Sequence, residues 1–233
     1  MTRVLLISHE PQAAPGRIGR LLAERGVEVD LHVVLDDPAH PDTAFPDAAA
    51  YDAVIAFGSF SNAHAPQARG WVEPEVAFIK TLVESKTPYL GVCFGGQLLA
   101  EALGGSVVPS DPDQDEIGLV EFAELEAGPV PSGPWFTWHE DRMELPEGIE
   151  VLARNENAIQ LFRHGSAIGT QFHPEADVEL VRMWTTVGAD HIPERTTAAE
   201  LVSAIEAHND QLDDNCQRLV EWFFEELNVG HGR

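Results

Sequence analysis

The order of strand-like and amphipathic segments constrains this chain more than any other feature of its sequence. Apolar or alternating runs of strand length stand at 3–9, 27–34, 51–58 and 88–93, and amphipathic segments of helix length stand at 17–26, 74–85 and 95–105. Short apolar runs that alternate with helices are typical of strands buried on both faces. The pattern therefore predicts an α/β fold, with a mostly parallel central sheet covered by helices on both faces.

Residues 106–174 follow a different pattern, because turn residues there separate a series of short strand-like runs. The runs are SVVP, IGLVEFAEL, IEVLARN, AIQLFRHG and SAIGTQFHP, and they predict antiparallel strand additions. From Asp177 the pattern turns helical, which predicts a helical C-terminal tail over 178–228 with one long helix at 198–227. No linker is long enough to divide the chain, so we predict a single domain over 1–233.

The charge of the chain limits its partners. Lys and Arg number 14 against 39 Asp and Glu, which gives a formal net charge of −25. Nucleic acids and anionic membranes bind cationic surfaces, so neither is an expected partner. The acidic surface is either simply solvated or offered to a basic partner, and the sequence leaves both open. No run is apolar for long enough to span a bilayer, and we expect a cytoplasmic protein.

The two cysteines, Cys93 and Cys216, are too few for a disulfide framework, and no CxxC pair suggests zinc. The ten histidines show no HExxH spacing, so we predict no metal site. Cys216 lies in the helical tail and is expected to be inert. The nearby cluster of Trp222, Phe223 and Phe224 is expected to pack back onto the sheet rather than to bind a partner.

The stretch YLGVCFGGQLLA, residues 89–100, places Cys93 where a predicted strand turns directly into a predicted helix. A turn of the form G-x-nucleophile-x-G exposes its central residue, and Gly91 and Gly95 leave room for the neighbouring backbone. The helix N-terminus favours a thiolate at Cys93, and the amide of Phe94 is placed to donate to an oxyanion. A small buried cysteine in a glycine-rich turn is the alternative interpretation.

The segment GTQFHPEAD supplies a base and an acid together, because His173 and Glu175 are two residues apart at the end of a strand-like run. In an extended segment such residues point the same way, and Pro174 stiffens their spacing. A cysteine nucleophile needs a base to carry protons, and the base needs an acid to orient it. Together with Cys93, the pair forms a candidate triad.

Two architectures carry a nucleophile on such an elbow. One is the α/β-hydrolase fold, whose dienelactone hydrolase branch has a similar cysteine elbow. Its chain order requires an Asp between the nucleophile and the His, and the candidate, Asp141, lies in the polar stretch WHEDR. No HGGG-type segment supplies the oxyanion hole of that fold. The sequence therefore favours the other architecture, that of the glutamine amidotransferases.

GVCFGGQ, with QFHPE placing His173 80 residues after Cys93, resembles the class I (triad) glutamine amidotransferase family. The family pattern is G-x-C-x-G-x-Q with H-P-E downstream. The stretch at 52–63, DAVIAFGSFSNA, is similar to the strand and glycine loop that read GGP in this family, with departures at Phe57 and Ser59. The stretch at 136–162 is similar to part of the GMP synthase amidotransferase domain.

The similarity covers most of residues 1–176. It implies a flavodoxin-like class I amidotransferase fold and a stand-alone member related to the GMP synthase amidotransferase domain. By the same resemblance, Cys93 is the nucleophile, His173 the general base and acid, and Glu175 the residue that orients His173.

The resemblance further implies that the amides of Gly58 and Phe94 form the oxyanion hole. Losing one oxyanion donor typically costs on the order of 3 kcal/mol of barrier. The departure from GGP around Gly58 therefore bears on the rate of reaction. It leaves open whether a partner chain or the substrate completes the hole.

Three further residues are implied to contact the substrate. Gln97, one helical turn after Cys93, is expected to contact the amino-acid end of the substrate, with a solvent-facing position as the alternative. Trp138 and His139 are expected to line the pocket, the alternatives being an ordinary core aromatic and a surface histidine. The triad needs neither metal nor nucleotide, so no cofactor is implied.

Three functions are compatible with these residues. The first is a stand-alone glutaminase, which hydrolyses the glutamine side-chain amide through a Cys93 γ-glutamyl thioester and passes the ammonia to a separate synthase chain. The second is a γ-glutamyl hydrolase or peptidase acting on γ-glutamyl conjugates, and the third is a non-catalytic binding or regulatory module. No phosphate-binding loop is present, so a fused GMP synthase is not expected. The intact Cys-His-Glu set favours the first two.

Overall fold

The computed structural model of the protein describes residues 2–111, 114–125 and 130–230. Its strands are β1 (Arg3–Ser8), β2 (Glu28–Val33), β3 (Ala53–Ala56), β4 (Tyr89–Val92), β5 (Ser106–Pro109), β6 (Glu116–Val120), β7 (Glu124–Leu125), β8 (Trp135–His139), β9 (Asp141–Glu144), β10 (Glu150–Arg154), β11 (Ile159–His164) and β12 (Ala167–Thr170). Its α-helices are α1 (Gly16–Glu24), α2 (Arg69–Ser85), α3 (Phe94–Ala102), α4 (Val178–Val187), α5 (Ala198–Ala207) and α6 (Asn209–Gly230).

An eight-stranded sheet forms the centre of the fold, in the order β2-β1-β3-β4-β12-β11-β10-β7. The neighbours from β2 to β12 pair in parallel, and β11, β10 and β7 continue the sheet in antiparallel pairing. Two small antiparallel pairs, β5 with β9 and β6 with β8, lie outside this sheet. The predicted parallel sheet with antiparallel additions is confirmed.

Helices cover both faces of the sheet, as predicted. Successive side chains of a strand point to opposite faces, so Val4 and Leu6 of β1 pack in one core while Leu5 and Ile7 pack in the other. The first core contains the apolar faces of α1 and α6, and the second contains those of α2 and α3. The fully buried parallel strands explain why their sequences are apolar runs rather than alternating ones.

Helix α2 begins a full turn earlier than predicted, because Pro74 lies inside the helix rather than at its start. The first turn closes through the amides of Trp71 and Val72, which both donate to the carbonyl of Ala68 at 3.0 Å. Proline lacks only its own N–H and is usually found at a first helical position. The prediction therefore placed the helix start at Pro74, which lies in the second turn.

The predicted single helix at 198–227 is wrong, because the structure divides it into α5 and α6 around His208. Its apolar spacing continues through the break, so periodicity alone did not reveal the corner. Strands β8 and β9 were missed, since the stretch from Trp135 to Glu144 carries polar residues at its centre. They meet at the corner residue Glu140.

The helical tail packs back onto the sheet. Trp222 and Phe223 of α6 are buried in the same core as α1, and Phe224 packs at its margin, which confirms the prediction for this cluster. Cys216 is fully buried there, and burial raises the pKa of its thiol. In the part of the chain that the structure describes, no helix is long and apolar enough to cross a membrane. The cytoplasmic location and the single-domain organisation stay predictions.

Candidate active site

Cys93 lies on a sharp turn between β4 and α3, with φ 49° and ψ −103°. A positive φ is rare for a residue with a side chain and stores strain. A Cβ on Gly91 would come within 2.4 Å of the Gly95 carbonyl oxygen, and one on Gly95 within 2.4 Å of the Ala56 carbonyl oxygen. The glycines of the elbow are therefore required by the close approach of backbone to backbone.

His173 and Glu175 follow β12 and form a buried pair. The Nδ1 of His173 lies 2.7 Å from Oε1 of Glu175, and the backbone amide of His173 donates to the Phe136 carbonyl at 2.7 Å. Burial alone lowers the pKa of His173, but the Glu175 carboxylate and the Cys93 sulfur together hold that pKa well above its ordinary value. Because Glu175 engages Nδ1, Nε2 is the ring nitrogen left for Cys93.

Two further groups contact the sulfur of Cys93. The side-chain amide of Gln171 lies with Nε2 3.6 Å from Sγ, and the carbonyl oxygen of Trp138 lies 3.9 Å from Sγ. Gln171 is fully buried. Sequence reasoning missed it as a site residue, although it is the first letter of the QFHPE motif, because nothing in that pattern says that its side chain turns towards the cysteine.

Gly58 and Phe94, the two predicted oxyanion donors, line the same pocket as Cys93 and His173. Gly58 packs against the histidine so closely that a Cβ there would lie 2.9 Å from Cε1 of His173. The preceding carbonyl, of Phe57, accepts from the amide of Gly95 at 3.1 Å. The loop after β3 is thus fixed against the elbow.

The three predicted substrate contacts all line this pocket. Gln97 is 4% exposed, so the solvent-facing alternative is wrong. Trp138 is half-buried, and its ring faces Gly188. His139 is 4% exposed, which makes the surface alternative wrong for it as well.

The ring of His139 is engaged on both sides. Its Nδ1 lies 2.9 Å from the Asp141 carbonyl oxygen, and its Nε2 lies 3.0 Å from Oε2 of Glu116. Burial raises the pKa of Glu116, but His139 and neighbouring amides outweigh that effect and lower the pKa below its ordinary value. The imidazole therefore connects β8 to β9 and β6 at the edge of the pocket.

The helical tail contributes a wall of the pocket that sequence reasoning did not predict. Trp184, Gly188 and His191 all line it. The ring of Trp184 lies 4.9 Å from that of His173 between centroids, and His191 Nδ1 lies 2.9 Å from Oε1 of Glu140. We call Trp184, Gly188 and His191 the tail wall. No motif marks these residues, because their role depends on how α4 packs beside β8.

Asp141, the acid of the rejected α/β-hydrolase arrangement, faces a different histidine. Its Oδ2 lies 3.1 Å from Nδ1 of His64, and burial raises its pKa above the ordinary value. The carboxylate partner of His173 is Glu175. Across the described residues, no group of three or more His, Cys, Asp or Glu side chains is arranged to hold a metal ion.

The site lies where β1, β3, β4 and β12 end, at the carboxyl edge of the parallel sheet, which is where open α/β sheets bind ligands. The fold and the site together define a class of α/β protein in which a cysteine on an elbow meets a histidine–carboxylate pair. The family model "Glutamine amidotransferase class-I" matches residues 16–182. The chain belongs to this family.

Known relatives include a glutamine-hydrolyzing synthase and a hydrolase of a γ-glutamyl amide. The chain is 40% identical over 120 residues to the glutamine-hydrolyzing GMP synthase of Thermomicrobium roseum, a match to 48% of this chain and 20% of that enzyme. It is 32% identical over 142 residues to the gamma-glutamyl-L-1-hydroxyisopropylamide hydrolase of a Pseudomonas species, covering 54% of this chain and 48% of that enzyme. The matched part thus spans a fifth to a half of these relatives.

Solved structures are similar to this chain over nearly its whole length. The crystal structure of a glutamine amidotransferase from Thermotoga maritima superposes with a TM-score of 0.83 at 25% identity, covering 95% of this chain and 97% of that one. The predicted flavodoxin-like amidotransferase fold is therefore confirmed, and the helical tail lies within the shared architecture.

Proposed function

We propose that this chain is a stand-alone glutaminase that hydrolyses the side-chain amide of glutamine through a γ-glutamyl thioester on Cys93. The observation that carries the proposal is the position of His173. Its Nδ1 is held by Glu175 at 2.7 Å, while its other ring nitrogen is left for the cysteine on the elbow. A nucleophile, a proton carrier and an orienting carboxylate in one pocket are the requirements of covalent acyl transfer.

In the first half of the proposed reaction, Cys93 gives its thiol proton to His173, and Sγ attacks the amide carbon of the substrate and forms a C–S bond. The carbonyl oxygen becomes an oxyanion, which accepts hydrogen bonds from the amides of Gly58 and Phe94. His173 gives its proton to the departing nitrogen as the C–N bond breaks. Ammonia leaves, and the γ-glutamyl group stays on the sulfur as a thioester.

In the second half, water attacks the thioester carbon, and His173 takes the proton of that water. The C–S bond breaks, glutamate leaves, and the sulfur returns to its starting state. The sum is glutamine plus water giving glutamate plus ammonia. Gln171, which contacts Sγ through its amide, is positioned to stabilise negative charge on the sulfur at both ends of the cycle.

The ammonia acceptor is proposed to be a synthase on a separate chain. The support is the similarity to the GMP synthase of Thermomicrobium roseum, whose name describes glutamine hydrolysis linked to a synthase. No residue of the pocket identifies that acceptor. The proposal for the glutaminase half therefore stands apart from the proposal for the partner.

A second candidate function is a γ-glutamyl hydrolase that acts on larger γ-glutamyl amides. Two observations favour it: the tail wall and Trp138 extend the pocket beyond the triad with aromatic surface, and one relative is named as a γ-glutamyl amide hydrolase. The chemistry is the same, with a larger amine in place of ammonia. Only the leaving group separates the two candidates.

The experiment that tests the function compares free glutamine with a γ-glutamyl dipeptide as substrates of the purified chain. Glutamate release is measured for both, and ammonia release for glutamine. We expect turnover that Cys93→Ala abolishes. Cys216→Ala is the matched control, since it removes the other buried cysteine, and it should retain turnover.

A higher kcat/KM for glutamine supports the glutaminase, and a higher kcat/KM for the dipeptide supports the γ-glutamyl hydrolase. The absence of any Cys93-dependent turnover would contradict both.

A further inference from the structure

Another buried histidine lies beside the site and has no role in the reaction described above. His9 follows directly after β1 and is fully buried, as is Glu75 of α2. The Nε2 of His9 lies 3.0 and 3.2 Å from the two carboxylate oxygens of Glu75. Its Nδ1 lies 3.0 Å from the carbonyl oxygen of Gly58, in the loop that carries the proposed oxyanion donor.

Both ring nitrogens of His9 face groups that accept hydrogen bonds. A carbonyl oxygen can only accept, so Nδ1 carries a hydrogen and donates it to Gly58. Burial lowers the pKa of His9, but Glu75, then Glu10 and the Gly58 carbonyl, outweigh it and raise the pKa above its ordinary value. The raised pKa favours the form of the imidazole that donates to Gly58 from Nδ1 and to Glu75 from Nε2.

The next residue in the chain holds the same loop at a second point. Oε1 of Glu10 accepts from the hydroxyl of Ser59 at 2.7 Å and from the amide of Phe60 at 3.2 Å. With the bond from Gly95 to the Phe57 carbonyl, the loop 57–60 is held from three directions. Two of these attachments come from consecutive residues at the end of β1.

These contacts occur where the sequence departs from the family pattern. GGP would place a proline after the glycine, and a proline ring fixes its own φ. Ser59 supplies no such restriction. If the Gly58–Ser59 peptide turned its oxygen into the pocket, the negative end of its dipole would lie where the oxyanion forms. That arrangement would oppose the reaction.

We propose that His9 and Glu75 are positioning residues that hold the Gly58 carbonyl, in the Gly58–Ser59 peptide, away from the pocket. The preceding peptide, which carries the proposed donor N–H of Gly58, is held separately by the bond from Gly95 to the Phe57 carbonyl. In this chain the pair restrains the loop 57–60 in place of the proline of the GGP pattern. The oxyanion hole is then complete in the isolated chain, without a partner. This inference rests on the proposed function for its catalytic consequence.

The test replaces both members of the pair, because removing His9 alone would leave the Glu75 carboxylate buried without its partner. In His9→Phe/Glu75→Gln we expect kcat to fall by about 10²–10³-fold, because a carbonyl oxygen facing the oxyanion would cancel about as much stabilisation as the loss of one donor. KM should stay unchanged, since the oxyanion exists only in the transition state.

His9→Asn/Glu75→Gln is the matched control, because an asparagine amide can donate from the position of Nδ1. We expect it to recover most of the lost kcat. A purely structural role predicts the reverse, since phenylalanine fills the buried space better than asparagine. Equal kcat values for the two double variants, or a wild-type kcat in the first, would overturn the proposal.

Two measurements separate a failure of this inference from a failure of the proposed function. The rate at which iodoacetamide alkylates Cys93 needs no oxyanion hole, and it should match the wild type if the elbow is intact. The crystal structure of His9→Phe/Glu75→Gln should show the Gly58–Ser59 peptide rotated, whether or not the wild type turns over any substrate. An unrotated peptide would refute the positioning role on its own.

Discussion

At the scale of single residues, the position of Cys93 is set by backbone rather than by side chains. The elbow forms because Gly91 and Gly95 allow contacts that a Cβ would forbid, which leaves Cys93 with a positive φ. Strain of this kind persists only where surrounding structure enforces it. The backbone therefore fixes the direction of the Cα–Cβ bond of Cys93, and the side-chain amide of Gln171 lies 3.6 Å from its sulfur.

Glu175→Gln tests the carboxylate that holds His173. It keeps the shape of the side chain and removes the charge that raises the pKa of His173 most. The pKa should fall, so the alkaline limb of the kcat/KM profile, where His173 loses its proton, should move to lower pH. At the optimum we expect kcat to drop by about 10²-fold or more.

The control for this variant is Glu140→Gln, which removes a carboxylate at the edge of the same pocket, paired with His191. It should leave the alkaline limb in place. An alkaline limb that stays fixed in Glu175→Gln would show that a group other than His173 sets it.

At the scale of secondary-structure elements, α6 closes one face of the sheet. Phe223 is fully buried there and Phe224 is half-buried. We expect Phe223→Ala to lower the free energy of unfolding by about 3–5 kcal/mol, through lost burial and the cavity left behind. Phe224→Ala should cost less, about 1 kcal/mol, because that ring lies at the margin of the core and part of it is already exposed.

Chemical denaturation of both variants checks this prediction. A Phe223→Ala variant as stable as Phe224→Ala would mean that α6 packs less firmly than the structure shows.

The sequence predicted those elements whose pattern is local. Strands such as β1 and β4 are continuous apolar runs, and the elbow is marked by its own glycines. The corner at His208 and the strands β8 and β9 escaped prediction, because apolar spacing runs through the first and polar residues interrupt the second. Boundaries of this kind depend on packing between elements distant in the chain.

The candidate site likewise contains residues that a local motif marks and residues that no motif marks. Cys93, His173 and Glu175 could be assigned from two short motifs, since their spacing within each motif carries the geometry. The His9–Glu75 pair spans 66 residues, and the tail wall comes from a segment without a motif. Neither leaves a local pattern, so only the three-dimensional structure shows that the tail wall lines the pocket and that the pair contacts the Gly58 loop.

At the scale of the whole molecule, one buried arginine joins the tail to the site. Nε of Arg17 in α1 donates to the Ala176 carbonyl at 2.8 Å, and NH2 donates to Oδ1 of Asn209 at 3.1 Å. The backbone amide of Arg17 also donates to the Glu175 carbonyl at 3.0 Å. The segment that carries Glu175 is therefore fixed between α1 and the start of α6.

The net charge of −25 should make the stability of the molecule depend on salt. Like charges repel across the folded surface, and salt screens that repulsion. We expect the thermal unfolding midpoint to rise between low and molar NaCl by more than about 2–4 °C, the change that 1 kcal/mol produces at this size. A non-ionic osmolyte of equal osmolarity is the control, and a flat NaCl profile would remove the repulsion argument.

The tail wall lies beyond residue 182, where the family match ends, whereas the candidate triad lies within it. One side of the pocket, the tail wall, is thus encoded apart from the candidate triad and from Gln97, Trp138 and His139. Mutations at Trp184, Gly188 or His191 can reshape the pocket during evolution while Cys93 and its partners stay as they are. We expect that exchanging this one segment would change which leaving group the proposed reaction accepts more than it would change the reaction itself.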